Sequence, residues 1–88
     1  MFQRTLKKDS GLAMSPCNSI HTFFMRFSID VIFLDRGNRV IRILNELKPW
    51  RFSPVVFGAD RVLEVKGGMA AAKKIRVGDE LYFIINKK

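Results

Sequence analysis

Asn18-Ser-Ile-His-Thr-Phe-Phe-Met-Arg-Phe-Ser-Ile-Asp-Val-Ile-Phe-Leu-Asp35 decides the fold of this 88-residue chain. Within it, Ile29–Leu34 is an apolar run broken only by Asp30, the pattern of a strand covered on both faces. Thr22–Phe27 is rich in β-formers and predicts a second extended piece ahead of it. Asp35-Arg-Gly-Asn-Arg39 then supplies a turn, with Asp35 to cap it and Gly37 and Asn38 to accept positive φ, so a hairpin is expected. Its return arm runs from Val40 to Leu47, where Ile41, Ile43 and Leu47 alternate with Arg42 and Glu46 as in a half-exposed antiparallel strand.

Outward from this hairpin, Pro49-Trp-Arg-Phe-Ser-Pro-Val-Val-Phe-Gly58 carries two prolines that cannot donate to a ladder. It reads as a long aromatic loop. Arg61–Val65 predicts another strand, and Leu81, Phe83 and Ile85 alternate in a closing one. Between them Met69-Ala-Ala-Ala-Lys-Lys74 follows Gly67-Gly68 and has the strongest helix propensity in the chain, enough for about two turns over residues 68–75. Four to six short strands and one short helix must pack on themselves to bury their faces. The expected fold is therefore mainly β, a small antiparallel sandwich or barrel forming a single domain over residues 1–88.

Three motifs, in order, resemble a known family. His21-Thr22, Met25, Ile29-Asp30 and Phe33-Leu34-Asp35 match its first block, Leu63-Glu64 with Gly68 its second, and Gly78-Asp79 its third. The chain is similar over about Gly11 to Ile84 to the domain of unknown function 192 family, also called uncharacterised protein family 0127. The resemblance implies a mainly-β body and no particular reaction. Where the family pattern usually carries proline this chain has Ser28, which loosens the turn before Asp30.

Sixteen Lys and Arg against eight Asp and Glu give a net charge of +8, a field that attracts polyanions. No basic run exceeds two residues, whereas dedicated basic arms carry blocks of about five or more, so the charge is diffuse in sequence and only folding could gather it onto one face. One cysteine, Cys17, rules out an intramolecular disulfide and removes any call for an oxidising compartment. The start Met1-Phe-Gln-Arg-Thr-Leu-Lys-Lys8 lacks the apolar core of a signal peptide, and no stretch has the length of a membrane span. A soluble cytoplasmic protein with no membrane partner is expected.

Asp30 is the first candidate site residue, because a carboxylate amid Ile29, Val31 and Ile32 must find donors. Arg26, the hydroxyl of Thr22 and the amides of a neighbouring loop are the expected ones. Asp30 then either staples two loops or, with a raised pKa in a wet pocket, acts as an acid or base. His21, the single histidine, either fixes a loop through a backbone carbonyl or carries a proton. Cys17 and His21 are too few ligands for zinc, and no metal or cofactor is expected. Cys17 is also a weak candidate nucleophile beside His21.

Trp50, Arg51, Phe52 and Phe57 make the best case for a binding surface, the alternative being a strap that inserts its rings into the core. Glu64 is either outward-facing or a second buried carboxylate. Gly67-Gly68 ahead of a helix lacks the context of a phosphate loop. Three functions follow from these residues. A non-catalytic module that binds a small ligand or a protein through Thr22, Arg26, Trp50 and Arg51 stands first. A nucleic-acid binder using the positive charge, without a recognisable motif, stands second. A small hydrolase or transferase using His21 with Asp30 stands third, and it needs those two side chains within hydrogen-bond reach.

Overall fold

A computed structural model describes residues 3–6, 11–22 and 27–83 of the chain. Six strands and one helical turn follow in order: β1 (Gln3–Leu6), β2 (Gly11–Met14), β3 (Ile29–Leu34), β4 (Val40–Leu47), β5 (Arg61–Lys66), α1 (Met69–Ala72) and β6 (Glu80–Phe83). Four of them make an antiparallel sheet in the order β2-β5-β3-β4. β1 and β6 form a separate parallel pair. A bridge between Arg39 and Glu80, with the Val40 amide donating to Asp79 O, lays the start of β6 against the start of β4. The expectation of a mainly antiparallel β body with one short helix holds.

β3 is central, and all six of its residues are buried. Strand alternation sends its side chains to two separate cores. Ile32 and Leu34 join Val40, Leu63, Val65, Ala70, Ile75 and Leu81 on the helix side. On the opposite side Ile29, Val31 and Phe33 join Val62 and Val56, with Met14, Cys17 and Ile20 packed against them. Each of these large side chains contributes about 1.5–3 kcal/mol by leaving water. Two shallow cores around one sheet replace a single deep one.

The hairpin between β3 and β4 closes as the sequence suggests, with Asp35 Oδ1 accepting from the amides of Gly37 and Arg39. Asn38 alone there takes the left-handed conformation, at φ 62°; Gly37 is not among the positive-φ glycines. β4 is less regular than its alternation implied. Its register against β3 slips twice, and at the second slip Asp30 faces both Asn45 and Glu46, with Glu46 at φ 51°.

The helix is one turn, shorter than the two expected. Lys74 adopts φ 57°, the Lys74 amide donates to Ala71 O and the Ile75 amide donates to Ala70 O. This is the Schellman pattern of a helix end. It stops the helix early because Ile75 is then swung into the core, where burial outweighs further propensity. The closing strand is described to Phe83, so Ile85 lies outside the described residues, as do residues 23–26 of the expected Thr22–Phe27 strand.

Candidate functional site

Residues 49–60 leave β4 and run back along the sheet as a strap over the core formed by Val31, Phe33 and Val62. The segment from Cys17 to Thr22 holds it in place. The amides of Val56, Ser53 and Trp50 donate to Asn18 O, Ile20 O and Thr22 O, and those of Thr22 and Cys17 donate to Arg51 O and Asp60 O. Thr22 is fully buried; its hydroxyl lies 2.7 Å from Lys48 O as donor and accepts from the Arg51 amide at 2.8 Å. Ser53 repeats the device, its Oγ accepting from the Ile20 amide at 2.8 Å.

With its backbone tied down, the strap buries Ser53 and Val56 and turns its large side chains outward. Trp50 is 56% exposed, Phe52 71%, Val55 53% and Phe57 90%. The loop is therefore a strap, but its rings are not core. The space beneath is already filled by Phe33, Val31 and Val62, and aliphatic Val56 is the side chain it admits. Arg51 and Lys48 are exposed beside the rings.

Under the same face lies Glu64, 8% exposed, on β5 opposite Val31. Burial pushes its pKa up, and the electrostatic effect of His21 partly opposes that rise. Among the described residues none donates a hydrogen bond to the Glu64 carboxyl, whereas backbone amides donate to the buried Asp30 and Asp79. His21 is exposed, bridges to Phe52 through the backbone and meets its ring edge-on at 6.4 Å and 70°. His21, Phe52 and Glu64 thus form one neighbourhood, a buried carboxyl group within the electrostatic reach of an imidazole under an aromatic rim.

Asp30 belongs to the opposite face. Its register partner is Val65, and it points with Ile32 and Leu34 towards the helix. Oδ1 accepts from the Glu46 amide and Oδ2 from the Ala70 amide, both at 2.8 Å. The carboxylate therefore pins the β4 bulge and the first turn of α1, where Gly68 at φ 91° is the N-cap. The helix start that Gly67-Gly68 prepares is filled by the chain's own anion. Among the described residues neither the Thr22 hydroxyl nor a cation serves Asp30, and the sheet separates it from His21 and the strap. Arg26 lies outside the described residues.

Cys17 is half-buried, its thiol 3.1 Å from Ser19 O. With Pro16, Asn18, Ala59 and Asp60 it lines a cavity of about 190 Å³, below the 300–1,000 Å³ usual for small-molecule sites. Among the described residues no three His, Cys, Asp or Glu side chains converge as metal ligands, and no helix is long and apolar enough to cross a membrane. Glu64 is the side chain that sequence reasoning left undecided. Its signal was Val62, two residues away on the same face, which with Leu63 and Val65 makes β5 apolar on both faces.

The comparisons with known proteins agree with the fold. The chain is 43% identical over 63 residues to a UPF0127 protein of Thermococcus sibiricus, covering 72% of this chain and 40% of that one. It is also 43% identical over 63 residues to a UPF0127 protein of Pyrococcus furiosus, covering 72% and 53%. A crystal structure of a protein of unknown function from Novosphingobium aromaticivorans superposes with a TM-score of 0.71 at 25% identity, over 83% of this chain and 56% of the other. The chain thus spans about half the length of the proteins it matches. Residues 1–83 match the model of the DUF192 family, described as Uncharacterized ACR, and the chain belongs to that family.

Proposed function

We propose that this domain is a non-catalytic binding module that meets its partner through the strap at residues 49–60. The carrying observation is the inversion of that loop: hydrogen bonds to residues 17–22 fix its backbone while Trp50, Phe52 and Phe57 stand in water. Large apolar side chains gathered in the open on one fixed segment are a mark of an interaction surface. A backbone held in place presents them with little ordering cost left for binding, which is how aromatic anchors gain affinity. His21 and Arg51 flank the rings and supply polar contacts.

The reading is tested in cells with a photo-crosslinking phenylalanine analogue at Phe57, and with the same analogue at exposed Val77, away from the strap, as control. The expected result is a discrete adduct from position 57 that Trp50→Ala and Phe52→Ala weaken, with none from position 77. Equal, diffuse labelling from both positions would remove the strap as a binding surface.

A further inference from the structure

Folding sorts the charges of this chain by sign. Asp30 and Asp79 are buried against backbone amides, and Asp35 is turned back onto its own hairpin. Asp60 is held by Arg61 at 3.4 Å and Arg36 at 3.8 Å, and Glu64 is buried. Glu80 is half-buried, which leaves Glu46 as the exposed acid among the described residues. The cations remain outside. Arg36, Arg39 and Arg42 are exposed on the hairpin, Lys48 and Arg51 on the strap, and Lys66, Lys73, Lys74 and Arg76 around the helix. Among the described residues the exposed charges are thus almost all positive, which a net charge of +8 spread along the chain does not by itself imply.

The strap lies lengthwise across this surface. It begins at Lys48 beside the end of β4 and finishes at Asp60, whose amide donates to Leu34 O next to the hairpin bearing Arg36. Cations therefore stand at both ends of a segment whose middle offers Trp50, Phe52 and Phe57. Exposed rings between cations suit a ligand that itself alternates flat faces with negative charge. Bases stack on aromatic side chains and phosphates follow the positive groove, without sequence-specific hydrogen bonds. A duplex hides its base faces and is read by a helix or ribbon entering a groove. The helix here is one turn, too short to enter a groove, and the rings stand exposed on the strap.

We infer that the strap is a track for single-stranded nucleic acid, an assignment that rests on the strap being the binding surface and names its ligand. Trp50, Phe52 and Phe57 are the stacking platforms, and Lys48, Arg51 and Arg36 are the phosphate contacts.

Trp50 is the single tryptophan, so its emission reports stacking directly. The probes are oligothymidylate and oligouridylate, with polyglutamate of matched charge as the acidic-polypeptide control. Both oligonucleotides are expected to quench Trp50 and bind with a log–log salt slope of about −1.4 to −2.8, as for two to four phosphate contacts on a single strand. Phe57→Ala, which removes a ring that is 90% exposed and so spares the fold, is expected to weaken binding about tenfold. Arg36→Ala should make the slope shallower by about 0.7. Binding only in the millimolar range at low salt, binding without salt dependence, or polyglutamate quenching as strongly as the oligonucleotides would each overturn the assignment. A nuclease-resistant adduct from position 57, found together with failed oligonucleotide binding, overturns the nucleic-acid assignment and leaves the strap as a protein-binding surface. Loss of both removes both.

Discussion

Asp30 and Glu64 are carboxylates buried on opposite faces of one sheet, and the difference between them lies in their donors. Asp30 has two backbone amides, one on a bulge and one on a helix start, each a charge-assisted hydrogen bond worth about 1.5–3 kcal/mol. Asp30→Ala orphans both amides in a buried place and is expected to cost about 3 kcal/mol or more in urea unfolding. A loss below about 1 kcal/mol would show that the staple is idle. Asp30→Asn is expected to fall between, since an amide keeps one acceptor and turns a donor towards a donor. Glu64 behaves differently because its folded pKa is raised. Between the ordinary glutamate value of about 4.3 and the raised folded value the native state holds a proton that the unfolded chain has released, so the Glu64 contribution to stability is fully present below that window and is lost as pH climbs through it. Glu64→Gln cannot ionise and should flatten that fall. His21→Ala should enlarge it, because the electrostatic effect of His21 lowers the Glu64 pKa; carboxyl NMR titration would show the Glu64 midpoint move up. A midpoint unchanged or lowered by His21→Ala contradicts the coupling. The burial of Asp30 was legible from Ile29, Val31 and Ile32 around it. Its donors were not, since they lie 16 and 40 residues away and are amides, which every residue type carries.

At the scale of elements, the readable parts are those set by local pattern. The apolar run of β3, the turn at Asp35–Arg39 and the alternation in β5 each follow from neighbours in sequence. β1 and β2 escaped notice because four residues carry too little periodicity, and their strand character comes from partners at Glu80–Phe83 and Val62–Val65. The strap was legible as a loop through Pro49 and Pro54, but its inversion was not, because that depends on hydrogen bonds from residues 17–22. Thr22 is the residue on which the inversion turns. Thr22→Val removes a buried donor to Lys48 O and an acceptor for the Arg51 amide, with an expected cost of about 2 kcal/mol. The strap should also loosen selectively. Trypsin is expected to cut after Arg51 faster than in the wild type under conditions where the sheet stays folded, and Trp50 emission should change. Unaltered cleavage and emission would mean that the remaining backbone hydrogen bonds hold the strap without Thr22.

For the molecule as a whole, the sorting of charges has an energetic consequence separate from any ligand. Ordinary surfaces intersperse acids and bases, so added salt screens attraction and repulsion about equally. Among the described residues here the exposed side is almost entirely cationic, and the ion pairs converge on Asp60. Repulsion between the hairpin, strap and helix cations should dominate the long-range term and oppose the compact state. Raising ionic strength from about 0.01 M to 0.15 M shortens the screening length from about 30 Å to about 8 Å, less than the separation of these groups across a body 32 × 30 × 26 Å in extent. Chloride should therefore raise the melting temperature over that range. A charge reversal at an exposed cation without a described partner, Lys73→Glu, should stabilise the protein at low salt by a few tenths of a kcal/mol, about the size of a surface charge interaction. The gain should vanish as salt is added. Reversal at Arg61 should instead destabilise, since Arg61 bonds both Asp60 and Asn38. A melting temperature that falls with chloride would show that attractive pairs govern this surface, and with that the sorting of acids inward and bases outward would lose its role in the stability of the fold.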